Sequence, residues 1–137
     1  MSDTNIERVL YVEDEPDIQA VARVALEAVG GFEVQIYNSG SDAMDHLDAI
    51  KSFNPDVILL DVMMPGMDGP NTLAALRKEG HFSKTPVIFM TAKVQPHEIA
   101  DFKEMGALDV IPKPFDPMSL SECINKIWGN RLAMAAE

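Results

Sequence analysis

The chain has 137 residues, 47% hydrophobic and 24% charged, enough for one domain (1–137, core about 7–128, short tail 129–137) with a single sizeable core. Its formal net charge of −11 gives no basic footprint for nucleic acid or an anionic membrane, and no apolar run nears the ~18 residues of a membrane helix. Residues 1–5 lack the basic and apolar regions of a signal peptide, and the lone Cys123 has no disulfide partner in the chain, so a cytoplasmic location is expected.

The first element, Arg8-Val9-Leu10-Tyr11-Val12, is a short apolar strand ending at Glu13-Asp14-Glu15-Pro16. Pro16 fits the first turn of a helix whose inward positions are Ile18, Val21, Ala22, Ala25, Leu26 and Val29, stopped by Gly30-Gly31. Phe32-Glu33-Val34-Gln35-Ile36-Tyr37 alternates apolar and polar, which predicts a half-exposed edge strand. One helix is then expected, with Ala43, Leu47 and Ile50 inward, ending before Asn54-Pro55. Val57-Ile58-Leu59-Leu60 is a run of four apolar residues, the pattern of a strand buried on both faces, and it delivers Asp61 to its C-terminal end. Asp68-Gly69-Pro70 opens a helix carrying Leu73 and Leu76, and Gly80 closes it. Pro86-Val87-Ile88-Phe89-Met90 is the next strand and ends at Thr91. A weakly patterned helix over about 95–105, with Ile99 and Phe102 inward, is stopped by Gly106. Leu108-Asp109-Val110-Ile111 is a last strand, ending at Pro112-Lys113-Pro114. Asp116-Pro117 is expected to cap a final helix with Leu120, Ile124, Ile127 and Trp128 on its inner face. Five βα units in succession predict an α/β fold. The expectation is a flavodoxin-like, doubly wound five-stranded parallel sheet, order 2-1-3-4-5, with five helices on two faces.

In such a sheet the residues just past each strand share one edge, where ligands bind. Glu13 and Asp14 follow the first strand, Asp61 ends the third, Thr91 follows the fourth and Lys113 the fifth. Singly, each has an ordinary explanation: a solvated acidic loop, a turn aspartate, a capping hydroxyl, a turn lysine. Their coincidence at one edge is harder to explain so. Crowded carboxylates repel, and a hard divalent cation such as Mg²⁺ resolves the repulsion. Asp61 is a competent nucleophile for an aspartyl phosphate, with the Lys113 ammonium and Thr91 hydroxyl available to phosphoryl oxygens.

With Val12-Glu13-Asp14-Glu15-Pro16, the stretch from Leu60-Asp61-Val62-Met63-Met64-Pro65 to Gly66-Met67-Asp68-Gly69, Met90-Thr91-Ala92 and Lys113-Pro114-Phe115, the chain resembles a response-regulator receiver domain of two-component signalling. The likeness covers roughly residues 7–128. It implies a stand-alone, single-domain regulator that acts as a phosphoacceptor switch or phosphate shuttle. Asp61 would receive phosphate from a histidine kinase or histidine phosphotransfer protein, and output would pass by contact with a downstream protein target. The resemblance also implies Mg²⁺ bound by Glu13, Asp14, Asp61 and the backbone carbonyl of Met63. Thr91 would swing toward the phosphoryl group, Lys113 would pair with it, and a cis bond would follow Lys113, which Pro114 permits.

Receivers commonly carry an aromatic three residues before this lysine, where the chain has Val110, so an aromatic switch is not expected. Lys93 is a candidate to pair with a site carboxylate at rest or with the phosphoryl group, the alternative being a solvated loop lysine. Met63, Met64 and Met67 are expected in an exposed loop flanking the site. His46, His81 and His97 lack metal-ligand spacing and read as surface residues, and Trp128 as core or dimer contact. Self-association, if any, is expected through the last two helices, with no nucleic-acid or membrane partner. The alternatives are a receiver cut from a longer regulator, with the tail after Arg131 as the start of a linker, and a haloacid-dehalogenase-like phosphatase using Asp61. The phosphatase would want an acid where Met63 stands. A flavin-binding module is disfavoured, because Glu13-Asp14-Glu15 would repel a phosphate.

Overall fold

The computed structural model describes residues 6–131, so the expectations for residues 1–5 and for the tail from 132 onward lie outside the described residues. Five strands, β1 (Arg8–Val12), β2 (Glu33–Tyr37), β3 (Val57–Asp61), β4 (Val87–Thr91) and β5 (Asp109–Pro112), form one parallel sheet in the order β2-β1-β3-β4-β5. The alternating strand is indeed at the edge, and the unbroken apolar run is the sheet's centre. In β3, Val57 and Leu59 face one core while Ile58 and Leu60 face the other, so neither face tolerates polarity.

Among the described residues six helices cover the two faces, one more than expected. The first core packs α1 (Pro16–Arg23), its continuation over Val24–Val29 and α6 (Leu120–Gly129) against Val9, Tyr11, Ile88, Met90 and Ile111. The second packs α2 (Gly40–Asp45), α3 (Leu47–Phe53), α4 (Gly69–Lys78) and α5 (Pro96–Glu104) against Leu10, Val12, Val87, Phe89 and Val110. Trp128 is core, as one of the two readings had it, with the Arg131 guanidinium 3.8 Å over its ring. Gly106, at φ 113°, ends α5 as expected.

Several local expectations need correction. The helix after β2 is broken at His46, whose ring nitrogen Nδ1 lies 2.7 Å from the Asp42 carbonyl, the acceptor its own N–H would use in a continuous helix. That N–H donates to Ala43 instead, at 3.0 Å, so the chain tightens for a turn before α3 begins. The last six residues of the first helix have π-type winding, with the Gly30 N–H on the Ala25 carbonyl at 3.1 Å. Val21 and Val29, read as inward, are 44% and 40% exposed, because Ala22, Ala25 and Leu26 alone face the core here. Asp116 caps no helix: it heads a turn, taking the Met118 N–H on Oδ1 and the Ser119 N–H on its carbonyl, and α6 starts at Leu120. Gly80 opens a short 3₁₀ turn, Gly80–Phe82, after α4 has ended at Lys78.

Arg77 ties that turn to its surroundings. Its Nη1 donates to the carbonyls of Phe82 at 2.7 Å and Thr85 at 2.6 Å, and Nη2 to Gly106 at 3.4 Å. Arg77→Ala should cost about 2–4 kcal/mol in urea unfolding, since a charged donor leaves these carbonyls together, and Arg77→Lys should recover only part of it. An alanine variant with the wild-type midpoint would mean that water replaces the guanidinium without cost.

Candidate functional site

The polar residues singled out in the sequence lie at the C-terminal edge of the sheet. The ladder between β1 and β2 continues one residue past Val12, the Glu13 N–H donating to the Tyr37 carbonyl at 3.0 Å, and this fixes Glu13 at the edge. Its carboxylate is fully buried: Oε1 accepts from the Tyr11 hydroxyl at 2.9 Å and the Lys113 ammonium at 3.0 Å, and Oε2 from the Glu15 N–H at 3.1 Å. The Gln19 side-chain amide donates to the Glu13 carbonyl at 2.5 Å and to Asn38 Oδ1 at 2.9 Å, pinning the turn after β1 to the turn after β2.

Asp61, the last residue of β3, is buried, and its Oδ1 accepts from Lys113 Nζ at 3.1 Å. The chain beyond it is held by the Val62 N–H on the Met90 carbonyl and by α4, whose Gly69 N–H donates to the Val62 carbonyl at 3.0 Å. Only glycine fits at Gly69, because a Cβ there would lie 2.7 Å from the Asp61 carbonyl oxygen. Asp68 caps α4 through the Asn71 N–H. Lys113 is fixed by its own N–H on the Thr91 carbonyl at 2.9 Å, and the Lys113–Pro114 bond is cis, as expected.

The electrostatics follow from this crowding. Glu13, Asp14 and Asp61 each offer an oxygen within 4.8 Å of the others. Burial pushes the Asp61 carboxyl up to about 6; the Lys113 hydrogen bond opposes this, and the charges of Glu13 and Asp14 add to it. Burial works against the Lys113 ammonium, but its hydrogen bonds to Glu13 and Asp61 outweigh that and hold its pKa above the ordinary lysine value. Burial, then the Glu13 charge, pushes the Tyr11 phenol far up, so it stays a proton donor. Two of the three clustered carboxylates, Glu13 and Asp61, thus share one ammonium, and the remaining negative charge and oxygen-only donor set suit a hard divalent cation.

Glu13, Asp14, Asp61 and Lys113 come together directly. Thr91 ends the neighbouring strand, buried, its Oγ1 accepting the Lys93 N–H at 3.0 Å; no hydrogen bond joins it to Asp61 among the described residues. Met63 lies two residues past Asp61 and is 64% exposed. Met64 corrects the expectation of an exposed loop: it is buried in the second core. Lys93 is exposed, and its ammonium makes no ion pair among the described residues, whereas the Lys113 ammonium pairs with Glu13 and Asp61. The three histidines are exposed, as expected. Tyr11 and Gln19 were not singled out in the sequence. The available signal for Tyr11 was a polar atom in an apolar strand two residues before Glu13, on the same side of the strand.

A profile of the response regulator receiver domain family matches residues 9–125, which include every candidate site residue. The chain belongs to that family. It is similar to the DNA-binding response regulator MtrA of Mycolicibacterium smegmatis, at 35% identity over 118 residues, 86% of this chain and 49% of that protein. It is also similar to the regulatory protein AtoC of Escherichia coli, at 40% identity over 113 residues, 82% of this chain and 23% of AtoC. Among solved structures it resembles the chemotaxis response regulator CheY4 of Vibrio cholerae, with a TM-score of 0.79, 28% identity, and coverage of 90% of this chain and 99% of CheY4. The chain spans about half the length, or less, of these two curated relatives. As a receiver domain of two-component response regulators it has the role of a signalling switch. No helix among the described residues is long and apolar enough to cross a membrane.

Proposed function

We propose that Asp61 accepts a phosphoryl group from a phosphohistidine on a histidine kinase or histidine phosphotransfer protein. The observation that carries this is the Asp61 carboxylate at a sheet edge, 3.1 Å from Lys113 Nζ and clustered with Glu13 and Asp14. An Asp61 oxygen lone pair forms the new P–O bond as the donor's P–N bond breaks, and the imidazole leaves with that electron pair and takes up a proton. Lys113 moves onto one phosphoryl oxygen, and the Thr91 hydroxyl donates to another. Glu13, Asp14, Asp61 and the Met63 backbone carbonyl would hold Mg²⁺, which when bound supplies neutralising charge for the phosphoryl oxygens.

The chain modifies only its own side chain in this reading, and with Met63 two residues past Asp61 it lacks the second acid of a phosphatase. Output passes through protein contact, with α5 and α6 as the surface for self-association. A second reading, the receiver segment of a longer regulator, is favoured by the greater length of the relatives. With 22 acidic against 11 basic residues, this segment would leave any nucleic-acid contact to another part of such a protein. The test is incubation with acetyl phosphate and Mg²⁺ followed by intact-mass measurement. One phosphoryl increment on the wild type and none on Asp61→Asn is expected; none on the wild type, or equal increments, would sink the reading.

A further inference from the structure

Glu13 Oε1 has two side-chain donors of different character. The Tyr11 hydroxyl, at 2.9 Å, belongs to a fully buried ring packed in the first core with Val9, Leu59 and Met90. The Lys113 ammonium, at 3.0 Å, ends a flexible stem and is shared with Asp61. We propose that Tyr11 is a positioning residue for phosphoryl transfer, its hydroxyl holding Glu13 in place while Lys113 leaves Glu13 for the phosphoryl group. This rests on the phosphoacceptor reading above.

Once Lys113 turns to the phosphoryl oxygens, the hydrogen-bond donors left to the Glu13 carboxylate among the described residues are the Tyr11 hydroxyl and the Glu15 N–H. Without the hydroxyl, Oε1 of a fully buried carboxylate would lose its last hydrogen-bond donor among the described residues, and that cost would fall on the step in which Lys113 moves. The ring cannot follow the lysine, because its core neighbours enclose it, so the hydroxyl is a fixed anchor. Glu13 therefore stays oriented beside Asp14 and Asp61 through the transfer.

Tyr11→Phe removes one oxygen and keeps the packing. At saturating Mg²⁺ and acetyl phosphate, its phosphorylation rate constant should fall about tenfold, the worth of one hydrogen bond to a charged group. The unfolding midpoint and the Mg²⁺ affinity measured by titration calorimetry should change far less. In a Lys113→Met background, assayed with Mg²⁺ present, the same Tyr11→Phe change should have no effect, because no lysine is left to move. A wild-type rate in Tyr11→Phe would overturn the proposal. So would a tenfold fall that persists without Lys113, which would mean the hydroxyl acts by packing or another route. Failure of the wild type itself to gain a phosphoryl group beyond the Asp61→Asn control is a separate result, and it would bring down the phosphoacceptor reading.

Discussion

Lys113→Ala should lose stability and phosphorylation together, and Mg²⁺ should recover part of the first and none of the second. The Lys113 side chain is 18% exposed, while those of its partners Glu13 and Asp61 are 0% and 5% exposed. Removing the ammonium leaves buried carboxylates facing one another with no cation, a change that costs about 3–5 kcal/mol where one partner of a buried pair is deleted. Urea unfolding in chelator should show that loss. Added Mg²⁺ should recover part of it, because an ion that binds only the folded state stabilises it by mass action and meets the same repulsion. The rate of phosphorylation should stay down about 10²–10³-fold even at saturating Mg²⁺, the usual effect of deleting one donor aimed at developing charge. An equal stability loss with and without Mg²⁺ would place the effect in packing of the lysine stem and count against the shared-charge description of the site.

The fold was legible because the strands carry their environment in their pattern. Val57-Ile58-Leu59-Leu60 is apolar on both sides and lies at the centre, whereas Glu33 to Tyr37 alternates and lies at the edge. The helices were legible in number and place only approximately. Periodicity marks a face but not its width, so Val21 and Val29 join the pattern yet lie beyond the strip that Ala22, Ala25 and Leu26 press on the sheet. The break at His46 depends on a side chain competing for one backbone carbonyl, which no spacing rule signals. Asp116 followed by Pro117 satisfies the rule for a helix start, but its oxygens close a turn first and α6 begins three residues further on than that rule places it.

At the site, the residues carried by strand ends were visible, since topology brings such positions to one edge whatever the packing. What the sequence hid was how they are held. Tyr11 reads as one more apolar strand residue until its hydroxyl is found on Glu13, and Gln19 as a helix surface residue until its amide is found bridging two turns. Val110 is buried in the second core.

Asp61→Asn should make the metal-free protein more stable above about pH 6 and leave it little changed near pH 4. Burial raises the Asp61 carboxyl from 3.8 to about 6, so the folded state holds this proton more tightly than the unfolded chain does. Between those values acidification favours folding, and above the upper one the ionised carboxylate is a standing cost, on the order of 3 kcal/mol. Asparagine carries no such charge, so its advantage appears in full at about pH 8 and fades on acidification, read as the difference between urea midpoints in chelator at the two pH values. Mg²⁺ should act in the opposite sense. It competes with the proton for Asp61, so its stabilisation of the wild type should be largest above about pH 6, fall through that range, and be much weaker in Asp61→Asn. If the asparagine variant were instead less stable at about pH 8, the ion pair with Lys113 would outweigh burial. Asp61 would then be a structural anchor of the resting site instead of a carboxylate kept at a cost for its chemistry.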